Sequence, residues 1–247
     1  MDKYGLIGYP LGHSFSKGFF TDKFSSQGID AEYVNYELPT IEDFPLIVNS
    51  SPLLRGLNVT IPYKEKVIPF LDVVSKEARE IGAVNAIRIE HRGNHVRLHG
   101  HNTDVTAFAD SIEPLLKPHH KKALVLGTGG ASKAICYALT KKLGLEVIFV
   151  SRYERPNTVT YQNLDADAVH EYEVIVNCTP VGMFPKNGEA PQIPYEALGP
   201  NNLLFDLVYN PDPSLFLKKG AAQGAAVKSG LEMLILQAMA SWRFWNE

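Results

Sequence analysis

Cysteine is scarce. Cys136 and Cys178 are the only two in 247 residues, and they lack metal-ligand spacing, so the simplest reading is a pair of buried thiols. Runs of basic residues are missing too. The net charge is −3, which leaves no electrostatic footprint for a phosphate backbone and argues against nucleic acid as a partner. Long apolar runs are also lacking. The start, Met1 to Gly5, has no apolar signal segment, and the most apolar helix, Leu231 to Trp245, is interrupted by Gln237 and Arg243 and is too short to span a bilayer. A cytoplasmic protein without a membrane partner is expected. No internal repeat or low-complexity tract is visible. What is present is 45% apolar and 21% charged residues, a composition with ample core for one large or two modest domains.

The most informative stretch is Lys122 to Arg152. An apolar strand (123–126) runs into Gly127-Thr128-Gly129-Gly130, then a helix, then a second apolar strand (147–150). This reads as a βαβ unit: Gly127 turns sharply out of the strand, Gly129 admits a pyrophosphate, and the helix from Gly130 and Ala131 aims free N–H groups at the anion. Ala134 is small enough to keep the helix close to the sheet. A site for NAD usually carries Asp or Glu about 20 residues beyond the glycines; here Ser151 and Arg152 stand instead. A guanidinium suits a 2′-phosphate, so NADP is the expected cofactor.

Before that unit, residues 3–8 read as a strand leading through a turn to Ser14-Phe15-Ser16 and a helix bearing Phe19, Phe20 and Phe24. Ser16 serves as its N-cap, or pairs with Ser14 as a small anion site able to hold a carboxylate. Strands are expected at 33–37 and 57–60 and a helix at 41–49. Pro62 is placed at the first position of a helix continuing to Leu71, which puts Lys64 in a first turn where the dipole disfavours a cation. A helix at 75–81 precedes a hairpin turning at Arg92-Gly93-Asn94. There Ile87, Ile89, Val96 and Leu98 face inward, and Arg88, Glu90, His95, Arg97, His99 and His101 face outward as a solvated face. His99 and His101 have no third ligand at suitable spacing, so no metal is assigned. Asp104 is read as the N-cap of a helix over 105–115; a carboxylate there is also available to orient a lysine or accept a proton from a hydroxyl. Strands at 174–177, 203–207 and 225–228 complete a parallel sheet with short connections, and residues 156–170 offer only a weak helix.

Ser14-Phe15-Ser16, the run Asn58 to Lys64, Gly82-Ala83-Val84-Asn85, Asn102-Thr103-Asp104 and the glycine loop resemble shikimate dehydrogenase in order and spacing. So do the runs Asn177 to Met183, Phe205 to Pro211 and Gly230 to Gln237. The resemblance implies that Ser14 and Ser16 hold the substrate carboxylate, that Thr60, Asn85, Asp104 and Gln237 bind its hydroxyls, and that Tyr209 borders it. Lys64 and Asp104 would be the catalytic pair. Gly127, Gly129, Gly130, Ala131, Ser151 and Arg152 would hold NADP, with Thr179, Met183 and Gly230 beside the nicotinamide. Two departures stand out: Ser151-Arg152-Tyr153 replaces the family's Asn-Arg-Thr, with Arg155 one place closer than the second basic residue, and Tyr153 is a candidate to stack on adenine.

The expected architecture is α/β: a substrate domain of residues 1–104 with the C-terminal helix 230–247, and an NADP-binding Rossmann domain of residues 105–229, with the active site in a cleft between. The expected reaction is reduction of 3-dehydroshikimate to shikimate in aromatic amino acid (chorismate) biosynthesis, by a monomer or homodimer. A quinate/shikimate dehydrogenase using NAD, and a catalytically silent dinucleotide sensor, are the rivals.

Overall fold

Twelve strands among the described residues form two six-stranded sheets, one in each of two compact units. The structure is a computed structural model describing residues 1–12, 14–93 and 95–247. One unit is Met1–Thr103 with Ala238–Glu247; the other is Asp104–Gln237.

In the first unit the strands are β1 (Asp2–Gly8), β2 (Ala31–Glu37), β3 (Leu54–Val59), β4 (Val73–Val74), β5 (Ala86–Arg92) and β6 (His95–His101), in the order β2-β1-β3-β5-β6-β4. β1 lies parallel to both β2 and β3, while the β5/β6 hairpin is antiparallel. A strand between parallel neighbours is covered on both faces, and residues 4–8 of β1 are accordingly all buried. Tyr4 and Leu6 join an aromatic cluster with Phe20 and Phe24 of helix α1 (Phe15–Gln27) and with Ala238 and Trp245. Ile7 points the other way, into a core with Phe44 and Val48 of α2 (Phe44–Ser50), Ala78 of α3 (Lys76–Ile81), and Ile87, Ile89 and Leu98 of the hairpin. The hairpin thus faces its apolar residues as its alternation requires. Asn94 of its turn lies outside the described residues.

Three sequence expectations are corrected here. The N-cap of α1 is Ser14, not Ser16: the Ser14 hydroxyl accepts from the Lys17 N–H at 3.3 Å. No α-helix follows Pro62. In a helix the Lys64 carbonyl would accept from Ile68; instead it accepts from Val84 N–H at 2.7 Å, Ile68 N–H turns to Glu65, and only a short 3-10 turn forms at Ile68–Phe70. The dipole cost assigned to Lys64 therefore does not arise. The polar face of the hairpin is also less solvated than its alternation suggests. The Arg88 guanidinium lies 5.7 Å from the Phe244 ring centre, His101 packs on the same ring and meets Ser75 at 2.9 Å, and His99 pairs with Glu90 at 3.1 Å. Among the described residues no group of three or more His, Cys, Asp or Glu is placed to hold a metal ion.

The second unit opens with α4 (Asp104–Ile112), whose first residue is Asp104 itself rather than a cap outside it. Its strands are β7 (Lys122–Leu126), β8 (Glu146–Ser151), β9 (Thr158–Thr160), β10 (Val174–Asn177), β11 (Leu203–Asp206) and β12 (Ala226–Ser229), and its helices include α5 (Gly130–Tyr137), α6 (Ala166–Glu171) and α7 (Leu215–Ala222). The sheet order is β9-β8-β7-β10-β11-β12 with every neighbour parallel. This is the doubly wound order, in which the chain reverses direction across the sheet between β7 and β10. β9 was not expected from the sequence. The β10–β11 connection contains a single 3-10 turn, Tyr195–Ala197, where such folds usually carry a helix. The last helix, α8 (Leu231–Trp245), divides at residue 237: its first half belongs to the second unit, while Ala238, Trp242 and Trp245 join the aromatic cluster of the first. No helix among the described residues is long and apolar enough to cross a membrane.

Candidate active site

In the first unit two of the expected substrate residues, Ser16 and Asn85, belong to a network of buried polar groups. The Tyr33 hydroxyl meets Ser16 and donates to Asn58 Oδ1 at 2.8 Å. Asn58 Nδ2 donates to Ser241 Oγ at 2.8 Å and to the Asn85 carbonyl at 3.3 Å. Ser241 Oγ lies 3.2 Å from Thr103 Oγ1. Thr103 in turn closes on Asn85: its N–H donates to Asn85 Oδ1 at 2.7 Å, and Asn85 Nδ2 donates to its hydroxyl at 3.0 Å. Ser16, Tyr33, Asn58, Asn85, Thr103 and Ser241 are all buried, and burial pushes the Tyr33 phenol far above its ordinary pKa. A buried polar network of this kind holds each member in one orientation, because every rotation leaves a donor or acceptor unpaired. Asn102 adds a further tie, donating to the Ala83 carbonyl at 3.0 Å.

Thr60 follows β3 directly and its N–H donates to Ile7 O at 2.9 Å. Lys64 is half-buried. Its backbone is fixed between the Thr60–Tyr63 turn and the bond from Val84, and Asn85 follows Val84 in the chain. Lys64 and Asn85 are thereby held by the same short segment. The structure therefore brings Ser16 and Asn85 into one network and anchors Lys64 beside Asn85, with Ser14 at the start of α1.

In the second unit the glycine loop leaves β7 and the Thr179–Met183 turn leaves β10, the two strands flanking the topological reversal where ligands bind in such sheets. Gly127 has φ +105°, a conformation unfavourable for any side chain, and a Cβ there would stand 3.0 Å from Thr179 Cγ2. Gly129 is the N-cap of α5, with open space before it, and Gly130 and Ala131 form the first turn. Ala134 is fully buried against the sheet, as its size suggests. Ser132 is also fully buried, and among the described residues its hydroxyl faces the Cys178 thiol without a nitrogen or oxygen partner. Cys136 and Cys178 are half-buried rather than buried as the sequence suggests, and burial pushes both thiols up, toward the protonated form.

β8 ends at buried Ser151, whose Oγ accepts from Tyr153 N–H at 3.3 Å. Arg152 is exposed, its guanidinium 5.8 Å from the centre of the Tyr153 ring, which is 67% exposed. Arg155 Nη1 donates to Thr128 Oγ1 of the glycine loop at 3.4 Å. Two guanidinium groups thus follow β8, one of them against the loop. An open glycine turn, a helix N-terminus and this arginine pair fit a dinucleotide with a phosphorylated ribose.

Met183 is exposed after Gly182. Tyr209 is half-buried, and burial raises its phenol pKa. Gln237 is buried with Nε2 donating to Leu234 O at 2.9 Å. Gly230 has a packing reason for being glycine: a Cβ would stand 2.7 and 2.8 Å from the carbonyl oxygens of Leu207 and Asp206.

Residues 6–87 match the family described as shikimate dehydrogenase substrate binding domain. Over 98% of its length the chain is 35% identical to shikimate dehydrogenase (NADP(+)) of Caldanaerobacter subterraneus, covering 91% of that protein, and 36% identical to that of Halothermothrix orenii, covering 90%. The chain belongs to the shikimate dehydrogenase family. The structure of the Thermus thermophilus family member in complex with NADP(H) and shikimate superposes with a TM-score of 0.86 at 31% identity, covering all of this chain and 94% of that one. Quinate dehydrogenase from Corynebacterium glutamicum in complex with NAD gives the same TM-score at 26% identity, over 99% and 93% of the two chains. Fold alone therefore does not separate the two activities; side chains must.

Sequence reasoning missed Tyr33, Asn58, Thr103 and Ser241 as parts of the buried polar network. Thr103 and Asn58 stood inside the motifs already singled out, so polar residues flanking a motif were the available signal. Ser241, a lone serine in an apolar helix, gave none. Arg155 was noticed only as displaced; its bond to Thr128 shows that it reaches the loop.

Proposed function

We infer that this chain is an NADP-dependent oxidoreductase that interconverts 3-dehydroshikimate and shikimate in chorismate biosynthesis, with the substrate held mainly by residues of the first unit and the cofactor by the second. The observation that carries this reading is the co-occurrence of a buried polar network at Asn85, next to the Val84 that ties the Lys64 backbone, and a glycine loop met by Arg155 with Arg152 nearby in sequence, in one member of the family. The relatives named for NADP(+) support the cofactor.

When bound, NADPH supplies a hydride to the ketone carbon of 3-dehydroshikimate. Lys64 donates a proton to the oxygen as it gains charge, completing the hydroxyl, and takes it back in the reverse direction. Asp104, the other catalytic residue, accepts from a substrate hydroxyl. Ser14 and Ser16 hold the carboxylate, with the α1 N-terminus adding its positive end. Thr60, Asn85 and Gln237 bind hydroxyls, and Tyr209 closes the substrate's border. Gly127, Gly129, Gly130 and Ala131 receive the pyrophosphate, Ser151 and Arg152 the adenosine phosphate, and Thr179, Met183 and Gly230 the nicotinamide side. We place the enzyme in the cytoplasm, where NADPH and its substrate are soluble, acting as a monomer or homodimer without nucleic acid or membrane.

The test is turnover of 3-dehydroshikimate by the purified chain with NADPH and NADH side by side, and with quinate in the reverse direction. NADPH-preferring turnover is expected. Preference for NADH with quinate would give the chain to the quinate branch, and absence of any turnover with retained NADPH binding would make it a sensor.

A further inference from the structure

Asn177 and Asp206 end adjacent strands, paired in register at the C-terminal edge of the second sheet, and both are fully buried. Asp206 Oδ1 accepts from Asn177 Nδ2 at 2.9 Å and from Val208 N–H at 3.0 Å, while Oδ2 accepts from Ser214 Oγ at 2.5 Å. Ser214 caps α7 through Leu217 N–H. One carboxylate therefore gathers the segments that follow β10 and β11 and the start of a helix.

A carboxylate without its proton accepts and never donates, so the amide of Asn177 turns its NH2 toward Asp206, where it also reaches the Val181 carbonyl at 3.4 Å, and its oxygen away. That oxygen then accepts from Thr179 N–H at 3.0 Å and Thr179 Oγ1 at 2.6 Å. With its hydrogen committed, Thr179 Oγ1 is left to accept from Val181 N–H at 3.3 Å. The turn so ordered sets Thr179 Cγ2 against Gly127 of the glycine loop. We propose that Asp206 is a positioning residue for the cofactor, fixing the Thr179–Met183 turn through the side-chain amide of Asn177. The proposal rests on reading that turn as a cofactor contact. Keeping a carboxylate in this interior is costly, and burial raises its pKa to about 6. Three donors converging on it offset part of that cost.

Four variants test the chain of bonds. Asn177→Ala cuts the relay but leaves Asp206 bonded to Val208 and Ser214. Asp206→Ala removes the hub. Asp206→Asn keeps the relay, because Val208 N–H pins the amide oxygen where Asn177 needs it. Ser214→Ala removes a donor that is not part of the relay. Backbone hydrogen exchange at Thr179 and Val181, measured by NMR without cofactor, is expected to accelerate roughly tenfold or more in Asn177→Ala and Asp206→Ala, and much less in the other two. The dissociation constant for NADPH is expected to rise roughly tenfold to a hundredfold in the first pair and by no more than about twofold in the second. Should Asp206→Ala not fold, Asn177→Ala decides. Equal exchange at Thr179 and Val181 in Asn177→Ala and Ser214→Ala would overturn the positioning role. Faster exchange with unchanged NADPH affinity would overturn the cofactor part. Failure of the wild-type protein to bind NADPH would instead sink the functional reading, and the exchange data would still decide what Asp206 holds.

Discussion

In the first unit Ser16, Tyr33, Asn58, Asn85, Thr103 and Ser241 are buried and tie one another down, so the side chains that the proposed function offers to the substrate are held in direction by their neighbours. At the strand ends of the second unit the groups on offer are backbone N–H groups of a glycine loop and two exposed arginines, with the buried Asn177–Asp206 pair setting only the turn beside them. The difference follows from what each is asked to recognise. A polyhydroxylated acid demands several donors and acceptors at fixed angles, which a satisfied network supplies at little entropic cost on binding. A pyrophosphate spreads its charge over many equivalent oxygens, and a helix N-terminus with open backbone suffices. Substitutions in the buried network of the first unit should therefore act on chemistry and substrate, and those in the glycine loop and after β8 on cofactor affinity and choice.

The strongest test of that division is Lys64. Lys64→Met keeps the stem and removes the ammonium, and should lower kcat by about 10²–10⁴, the usual worth of a general acid, while leaving the dissociation constant for NADPH unchanged. Retention of more than about a tenth of kcat would take Lys64 out of the mechanism and leave Asp104 as the chief candidate. A large loss of NADPH binding in the same variant would break the division itself.

Next in size is a pH effect seated in the second unit. Asp206 rises from an ordinary 3.8 to about 6 on folding, a difference of about 3 kcal/mol between its two protonation states. The sign is that of a raised acid: its contribution to stability is fully present below about pH 4 and is lost as pH rises through 6. Cys178 and Tyr195, the neighbours whose own pKa values Asp206 helps to raise, stay neutral across that window. Asp206→Asn, which never ionises, should gain stability relative to wild type between pH 4 and 7 in urea titrations. A difference that does not change with pH would mean the carboxyl is not titrating there.

Arg152 sharpens the comparison from the cofactor's side. Arg152→Asp removes one phosphate partner and sets like charge against a 2′-phosphate, so the NADPH/NADH preference should fall by roughly tenfold to a hundredfold with the KM for shikimate unmoved. Arg155→Ala should do the same more weakly, given its bond to Thr128. An unchanged cofactor ratio in both would show that these arginines only coat the end of β8.

The same contrast explains what was legible. The βαβ unit, the parallel strands and the inward face of the hairpin were readable because glycine placement and apolar period are local signals. The helix expected after Pro62 failed because a single distant donor, Val84 N–H, takes the Lys64 carbonyl out of the helical pattern. Long-range bonds of that sort leave no periodic trace. Lys64 and Asn85 stood out through motifs that resemble the family's, but Ser241, which holds Asn58 from 183 positions away, carries no local signature. Ser14 and Ser16 were separable only in coordinates, since either can cap a helix on paper.

The smallest effect, and the finest test of the substrate side, concerns that pair. Ser14 caps α1 and, in the function proposed above, also holds the carboxylate, so Ser14→Ala should cost about 1 kcal/mol of stability and also raise the KM for shikimate. The two roles part in Ser14→Asp. Aspartate caps as well as serine and adds charge favourable to the helix N-terminus, so thermal stability should return to wild type or above. A negative side chain facing a negative substrate should at the same time raise KM well beyond the alanine variant, because like charges in a partly desolvated site repel. Ser16→Ala supplies the control: it leaves the cap in place and removes a partner of Tyr33, so its KM should rise without loss of the capping bond. Equal KM values for Ser14→Ala and Ser14→Asp would reduce Ser14 to a cap and leave the carboxylate to Ser16 and the backbone of α1.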